Sequence, residues 1–368
     1  MRVVFTGGGT GGHLYPALAI ARALCALRPD VEPFFIGATR GIERTVLPTT
    51  GFPHQLLELH PLYRAKPWQN WRTVAGLARA WRVLDRALGA SPPSFTVGTG
   101  GYAASATLGW CVTRRLPFAL QEQNSFPGQT IRLFSRWARE IYLGFPEAAA
   151  RLPRPAIARA VTTGNPVQPP PEPRPARDEA RRKWGFPATR GPVVLVFGGS
   201  QGSAALNALV DGWIARGLPD DVSLIWATGV VHYARYASRA SARVVVRAYL
   251  SPIADAYAAT DLALTRAGAM TTAELCAWGI PAVLVPLPTA AADHQTANAR
   301  SLAEAGAARW IPEREATPER IVAEVGSLLE NRAALEVLAQ GARARARPDA
   351  ARDIAARLSR WLDAGAAA

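Results

Sequence analysis

The chain has 368 residues, more than one ordinary hydrophobic core requires, and with 49% hydrophobic content it predicts two globular domains. Its formal charge of +14 is almost wholly arginine, since Lys66 and Lys183 are the two lysines. The excess favours anionic partners without choosing among acidic substrates, a membrane surface and nucleic acid. Cys25, Cys111 and Cys276 are odd in number, far apart and without metal-ligand spacing, which argues against a disulfide framework or a zinc site and for a reducing compartment.

The first residues enter a strand at once, with no charged lead and apolar run, so no signal peptide and a cytoplasmic location are expected. The uncharged candidate for a membrane span, residues 275–292, contains Pro281, Pro286 and Pro288 and reads as helix end, turn and strand, so no transmembrane segment is expected.

The strand at residues 3–5 runs directly into Gly7-Gly8-Gly9-Thr10-Gly11-Gly12-His13, after which Leu14, Ala17, Leu18 and Ala21 recur at helical spacing. Glycines at a strand-to-helix turn leave backbone N–H groups uncovered, and the helix adds the positive end of its dipole, so the turn predicts a diphosphate cradle. The same run satisfies Gly-x-Gly-x-x-Gly, but the second strand ends Phe34-Phe35-Ile36-Gly37-Ala38-Thr39-Arg40 without the ribose-binding acid of a dinucleotide site. His13 has two readings: a base whose neutral form the helix N-terminus favours, or a helix-start side chain bonded to nearby backbone.

Further strands are predicted at residues 33–36, 95–97 and 118–120. Between the second and third lies a helical pattern over residues 68–88, with Trp71, Val74, Leu77, Trp81, Leu84 and Leu88 on one side and Arg72, Arg79, Arg82 and Arg86 on another, preceded by Tyr63, Arg64, Lys66 and Trp68. It reads either as a core-packed helix with a solvated basic face or as a surface that docks on an anionic bilayer. Gln121-Glu122-Gln123-Asn124 follows the strand at 118–120, where a polar cluster at a strand's carboxyl end offers Glu122 as a base or hydroxyl-orienting group, or forms a solvated loop.

Pro166, Pro169, Pro170, Pro171, Pro173 and Pro175 can hold neither a helix nor a central strand and mark the domain boundary, giving domains at 1–165 and 166–347. Strands at 193–197, 223–227, 244–247, 262–264 and 282–285 follow, the signature of parallel α/β layers. The first of them repeats the opening device: it enters Gly198-Gly199-Ser200-Gln201-Gly202, and then Leu206, Leu209, Val210 and Trp213 recur at helical spacing. Two Rossmann-like domains facing across a cleft would each place such a turn beyond the carboxyl ends of their strands.

Arg266-Ala267-Gly268-Ala269-Met270-Thr271-Thr272-Ala273-Glu274 runs from a strand into a helix and predicts another anion site, with Arg266 supplying charge and Glu274 offering oxygens to a ribose diol. Asp293-His294-Gln295-Thr296-Ala297-Asn298 opens the next helix, with Gln295 and Asn298 three apart on one face as amides for sugar hydroxyls or as an ordinary polar helix start. A last helix after Pro348, over 348–366, carries Ile354, Leu358, Trp361 and Leu362 as an apolar stripe that needs a partner, and the first domain is the expected one.

These motifs, in this order, with Gly98-Thr99-Gly100-Gly101-Tyr102 and Gly164-Asn165-Pro166-Val167, resemble the MurG family of UDP-N-acetylglucosamine:lipid I transferases over nearly the whole chain. The resemblance implies a GT-B fold and an inverting transfer of N-acetylglucosamine to the 4-hydroxyl of the muramoyl sugar of lipid I, giving lipid II and UDP. It implies a donor site in the C-terminal domain, with Leu250 beside uracil, Glu274 on the ribose, and Ser200 with the Ala269 and Met270 amides on the diphosphate. Gln295 and Asn298 would read the glucosamine, and Asn207 matches a further position linked to activity. On the acceptor side it implies the 7–12 loop, including Thr10, Gly11 and Gly12, with Gly100, Gly101 and Tyr102 around the diphosphate. His13 would be the base, with Glu122 and Asn124 beside the acceptor. Asn165 and Gln168 would lie between the domains, Gln168 standing where the family usually has Arg, and Ala267 replaces a commonly seen serine.

The implied partners are UDP-N-acetylglucosamine, lipid I and an anionic membrane surface, with no nucleic acid, and the implied location is the cytoplasmic face of the cell membrane. The donor half has no paired acidic metal motif, so neither metal nor cofactor is expected. Alternatives are a UDP-sugar epimerase on the same fold, disfavoured by the basic tryptophan helix; a nicotinamide oxidoreductase, disfavoured by the missing strand-end acid; and a non-catalytic lipid-binding protein, disfavoured by two complete cradles.

Overall fold

Continuous apolar runs such as Val193–Phe197 have no polar face to show water and form central strands covered on both sides. The structure, a computed structural model, describes residues 1–59, 70–187 and 191–366 and gathers such runs into two parallel sheets. The chain divides into two compact units: Met1–Val167 with the segment from Asp349 onward, and Gln168–Pro348.

In the first unit the strands are β1 (Arg2–Gly7), β2 (Glu32–Ala38), β3 (His54–Leu57), β4 (Phe95–Gly100), β5 (Phe118–Glu122), β6 (Ile141–Leu143) and β7 (Ala160–Thr162), in sheet order 3-2-1-4-5-6-7. The second unit has β8 (Val193–Phe197), β9 (Ser223–Ala227), β10 (Val244–Arg247), β11 (Leu262–Thr265), β12 (Ala282–Leu284) and β13 (Ala308–Trp310), in order 10-9-8-11-12-13. Both orders reverse direction beside their first strand, between β1 and β4 and between β8 and β11. Such a switch point opens a crevice at the carboxyl ends of those strands. Of these strands, β3, β6, β7 and β13 are additional to the predicted ones, and each is four residues or shorter.

The terminal helix Ala350–Ala366 belongs to the first unit and lies on the helix Gly11–Leu27 that follows β1. Ile354, Leu358 and Leu362 are buried with Leu14, Ile20 and Leu24, each worth about 1.5–3 kcal/mol of removed apolar surface. Polar ties fix the register: Arg357 pairs with Glu140 at 2.5 Å, Trp361 Nε1 donates to the same carboxylate at 3.1 Å, and Arg28 pairs with Asp363 at 2.7 Å.

The helix over residues 70–88 packs Ala80, Leu84 and Leu88 into the first core and turns Arg79, Arg82 and Arg86 to solvent. Trp81 sits against that core and donates through Nε1 to the Ala106 carbonyl at 2.9 Å. Tyr63, Arg64, Lys66 and Trp68, and the side chains of Trp71, Arg72 and Val74, lie outside the described residues.

Candidate active-site loops

After β1, Gly8 and Gly9 take positive φ (152° and 89°), and Thr10 caps the following helix in extended conformation, so its first turn starts at Gly11. The exit of β4 approaches closely: a Cβ on Gly101 would lie 2.2 Å from the Gly8 carbonyl, and one on Gly100 3.2 Å from the His13 ring. Only glycine admits this contact at the positive φ both residues adopt.

His13 is half-buried between these turns. Its Nδ1 lies 3.0 Å from the Thr99 carbonyl and 2.8 Å from Gln123 Oε1. The Gln123 amide is oriented by its own Nε2, which donates to the Thr99 carbonyl at 2.8 Å and to the Gln121 carbonyl at 3.3 Å. Both neighbours of Nδ1 are therefore acceptors, which assigns the proton to Nδ1 and the lone pair of the neutral ring to Nε2. The contacts of Nδ1 match the reading of His13 as a side chain bonded to nearby backbone. Thr99 and Gln123, the residues that orient the ring, stand within sequence motifs but were given no role there.

Glu122 is engaged by its own loop. It is buried at the end of β5, Oε1 accepts from the Asn124 N–H (2.8 Å) and Nδ2 (3.2 Å), and Oε2 accepts from the Gly128 N–H at 2.7 Å. Burial raises its pKa and these donors lower it, with burial prevailing. Both oxygens of this carboxylate are engaged by the 124–128 loop, so Glu122 anchors that loop. Asn165 Nδ2 donates to the Gln123 carbonyl at 2.9 Å and its Oδ1 accepts from Gln121 at 3.2 Å, contacts that brace the end of β5. Gln168 is exposed at the start of the second unit.

The first glycine-rich turn is not wholly uncovered. Glu43, buried on the short helix Glu43–Val46, accepts from the Gly9 N–H at 2.9 Å and the Ala38 N–H at 3.1 Å through Oε1. Thr10, Gly11 and Gly12 form the outward part of the turn, and Tyr102 stands beside Gly9.

In the second unit β8 leads into Gly199 and Gly202 at positive φ (86° and 75°), and Ser203 caps the helix Ala204–Ala215 by accepting from the Leu206 N–H. Ser200 is exposed at the turn's tip and Leu250 is buried just after β10. Asn207 is buried with Nδ2 on the Thr228 carbonyl (2.8 Å) and Oδ1 on Trp226 Nε1 (2.9 Å), so it braces β9 and has no amide turned outward for the donor.

Arg266 does not supply an open charge. It is buried, donates to Ser203 Oγ (3.1 and 2.8 Å) and to the Val285 and Pro286 carbonyls (3.0 and 3.1 Å), and pairs with Glu313. Its planar fork joins the segments that follow β8, β11, β12 and β13. The helix Ala269–Trp278 begins directly after Gly268, which puts the amides of Ala269 and Met270 in its first turn. Glu274, one turn later, accepts from the Tyr257 hydroxyl at 2.6 Å through Oε2. Burial raises its pKa and the Tyr257 hydrogen bond lowers it.

Gln295 and Asn298 part company. Gln295 Oε1 accepts from the Leu287 N–H at 3.0 Å, which aims its amide nitrogen away from that loop, whereas Asn298 is fully buried and donates to the Ala267 carbonyl at 3.1 Å. Asn298 therefore braces the β11 exit through its amide nitrogen. Ahead of this helix, Ala292 and Asp293 both take φ of 53°, a left-handed pair of non-glycine residues that only the surrounding fold can hold.

Two family models cover most of the chain: the glycosyltransferase family 28 N-terminal domain matches residues 3–143 and the family 28 C-terminal domain matches residues 193–357. The chain is 40% identical over 369 aligned residues to a Salinibacter ruber protein, covering 96% of this chain and 95% of that one. It is 39% identical to a Moorella thermoacetica protein, covering 99% and 100%. Both relatives are named UDP-N-acetylglucosamine–N-acetylmuramyl-(pentapeptide) pyrophosphoryl-undecaprenol N-acetylglucosamine transferase. Among solved structures, Acinetobacter baumannii MurG is similar with a TM-score of 0.77 at 26% identity, covering 98% of this chain and 99% of that one. A Neisseria meningitidis UDP-GlcNAc 2-epimerase shares the fold at a TM-score of 0.65 and 13% identity, covering 98% and 100%.

Proposed function

The chain belongs to the UDP-N-acetylglucosamine–N-acetylmuramyl-(pentapeptide) pyrophosphoryl-undecaprenol N-acetylglucosamine transferases of glycosyltransferase family 28, and from that premise we propose how its two glycine-rich turns divide the reaction. The protein is a hexosyltransferase of the GT-B fold that moves N-acetylglucosamine from UDP-N-acetylglucosamine to the 4-hydroxyl of the muramoyl sugar of lipid I, inverting the anomeric centre and yielding lipid II and UDP for peptidoglycan.

In our reading the first unit receives the acceptor and the second the nucleotide sugar. His13 Nε2 takes the proton from the attacking hydroxyl, while the Thr99 carbonyl and Gln123 Oε1 hold the ring through Nδ1–H and face the positive charge it gains. That pair of acceptors on Nδ1 is the observation that carries the assignment. The outward face of the first turn at Thr10, Gly11 and Gly12, with Gly100, Gly101 and Tyr102, receives the acceptor, and Glu122 shapes the neighbouring loop through Asn124.

On the donor side the departing UDP gains negative charge, which the first-turn amides at Ala269 and Met270 and the 198–202 turn with Ser200 are suited to stabilise. Glu274 accepts from the ribose diol through the oxygen that Tyr257 leaves uncovered, Leu250 borders the uracil through its backbone, and the Gln295 amide nitrogen reads the sugar. Arg266, Asn207 and Asn298 hold these loops in place from inside. Incubation with labelled UDP-N-acetylglucosamine and a lipid I analogue yields a labelled disaccharide lipid; epimerised donor alone, or no product, would reject the assignment.

We also propose that the first unit docks on an anionic membrane surface at the cytoplasmic face. Arg79, Arg82 and Arg86 stand exposed on one helix, and Leu77, Leu133 and Trp137 are exposed apolar side chains of the same unit. Among the described residues no helix is long and apolar enough to cross a membrane. Changing the three arginines to Gln abolishes sedimentation with anionic vesicles; unaltered sedimentation would return this helix to a purely packing role.

A further inference from the structure

A fully buried carboxylate lies inside the first glycine-rich turn. The Glu43 side chain occupies space that three glycines leave open: a Cβ would stand 1.8 Å from Oε1 at Gly8, 1.9 Å from Oε2 at Gly41, and 2.8 Å from Cγ at Gly37. Oε1 takes the Gly9 and Ala38 amides, whereas Oε2 is buried and has no hydrogen-bond partner among the described residues. A carboxylate held this way costs desolvation free energy that two amide bonds offset only in part. Neutral packing would have served the turn's shape, so the charge asks for a role.

We propose that Glu43 is the resident anion of the first glycine-rich turn: it takes the inner amides, leaves only the outer edge at Thr10, Gly11 and Gly12 for the substrate, and by its charge weakens the turn's grip on a diphosphate. This rests on the reading of that turn as part of the acceptor site. The acceptor and the product both carry the same diphosphate, so tight binding of it stabilises both and slows release without lowering the barrier to transfer. The charge is felt across the turn: Tyr102, whose hydroxyl is held above its usual pKa first by burial, is raised further by Glu43, with Arg40 opposing. Glu43 is thus a positioning residue that acts through the turn's amides and its field.

Glu43→Gln keeps the side chain's size and an acceptor for the two amides but deletes the charge. With UDP saturating the nucleotide site, inorganic pyrophosphate titrated into the full-length variant binds at least about fivefold tighter than to the unsubstituted protein. In steady state the acceptor KM and kcat both fall while the donor KM holds. Pyrophosphate affinity equal to or weaker than that of the unsubstituted protein overturns the proposal. Should Glu43→Gln fail to fold, Gly41→Ala places a methyl on Oε2 and displaces the carboxylate; it must tighten pyrophosphate in the same sense, and failure to do so overturns the proposal equally. Thr10→Ala tests the underlying reading separately: it raises the acceptor KM alone if the turn serves the acceptor, and a rise confined to the donor KM rejects that reading independently of Glu43.

Discussion

The turns after β1 and β8 share a glycine-rich sequence, a place in the strand order and a helix that follows, yet opposite charges lie beneath them. Under the first is the carboxylate of Glu43, bonded to the turn's own Gly9 amide. Beneath the second is the guanidinium of Arg266, bonded to the helix-capping Ser203 and paired with Glu313. A strand-to-helix turn supplies amides and a dipole, but its net field is set by a side chain that arrives from another segment. In the proposed division, the same motif would serve a site that must release a diphosphate-bearing product and a site that must stabilise a departing nucleotide.

The sharpest way to break this division is at His13. His13→Ala lowers kcat by about 10²–10⁴-fold, the usual worth of a positioned base, while UDP-N-acetylglucosamine affinity measured by calorimetry stays within twofold of unsubstituted protein, about the scatter of such comparisons. An equal loss of donor affinity would place the histidine on the wrong side of the reaction.

Next is the buried cation of the second turn. Arg266→Ala leaves Glu313, Ser203 and two carbonyls without their donor and destabilises the second unit by about 3–5 kcal/mol in denaturant titrations. Lys, which lacks the planar fork, restores little of this. A donor KM unchanged in a folded Arg266→Ala protein would show that the loops need no such tie.

The smallest effect is in the pH dependence of donor binding. Burial raises the Glu274 pKa above 4.5 and the Tyr257 hydroxyl pulls it back down, so Tyr257→Phe moves it up. Donor affinity requires the ionised carboxylate in our reading, so it weakens as pH falls through that pKa, and the weakening begins at higher pH in Tyr257→Phe. The stability term has the opposite sense: a carboxyl with a raised folded pKa contributes fully below its unfolded pKa and loses that contribution as pH rises through the folded one. A donor-binding profile identical in Tyr257→Phe and unsubstituted protein would separate Glu274 from the nucleotide.

The central strands Val193–Phe197 and Ser223–Ala227 were legible because burial on both faces demands a dominantly apolar run, and these two, with the edge strand Val244–Arg247, have the same bounds in sequence and structure. The short outer strands carry too few residues for such a signal: Ala160–Thr162 is half-exposed at the sheet edge, and its pairing with β6 alone makes it a strand. Among the candidate site residues, His13 and Glu274 were singled out by their place after strand exits, and their proposed roles rest on the hydrogen bonds each makes. The inward contacts of Glu122, Asn207, Arg266 and Asn298 were not legible, because a polar residue at a strand exit has the same spacing whether it faces outward or turns inward to satisfy a loop.

Sequence alone determined two parallel α/β units, their glycine-rich turns and the family to which the ordered motifs belong, since periodicity and backbone freedom are local properties of the chain. The tertiary structure decided which polar side chains face outward, which nitrogen of His13 carries its proton, and that Glu43 rather than a ligand fills the inner half of the first turn. Those outcomes depend on hydrogen-bond partners contributed by distant segments, and a buried polar group takes its role from the partner that satisfies it.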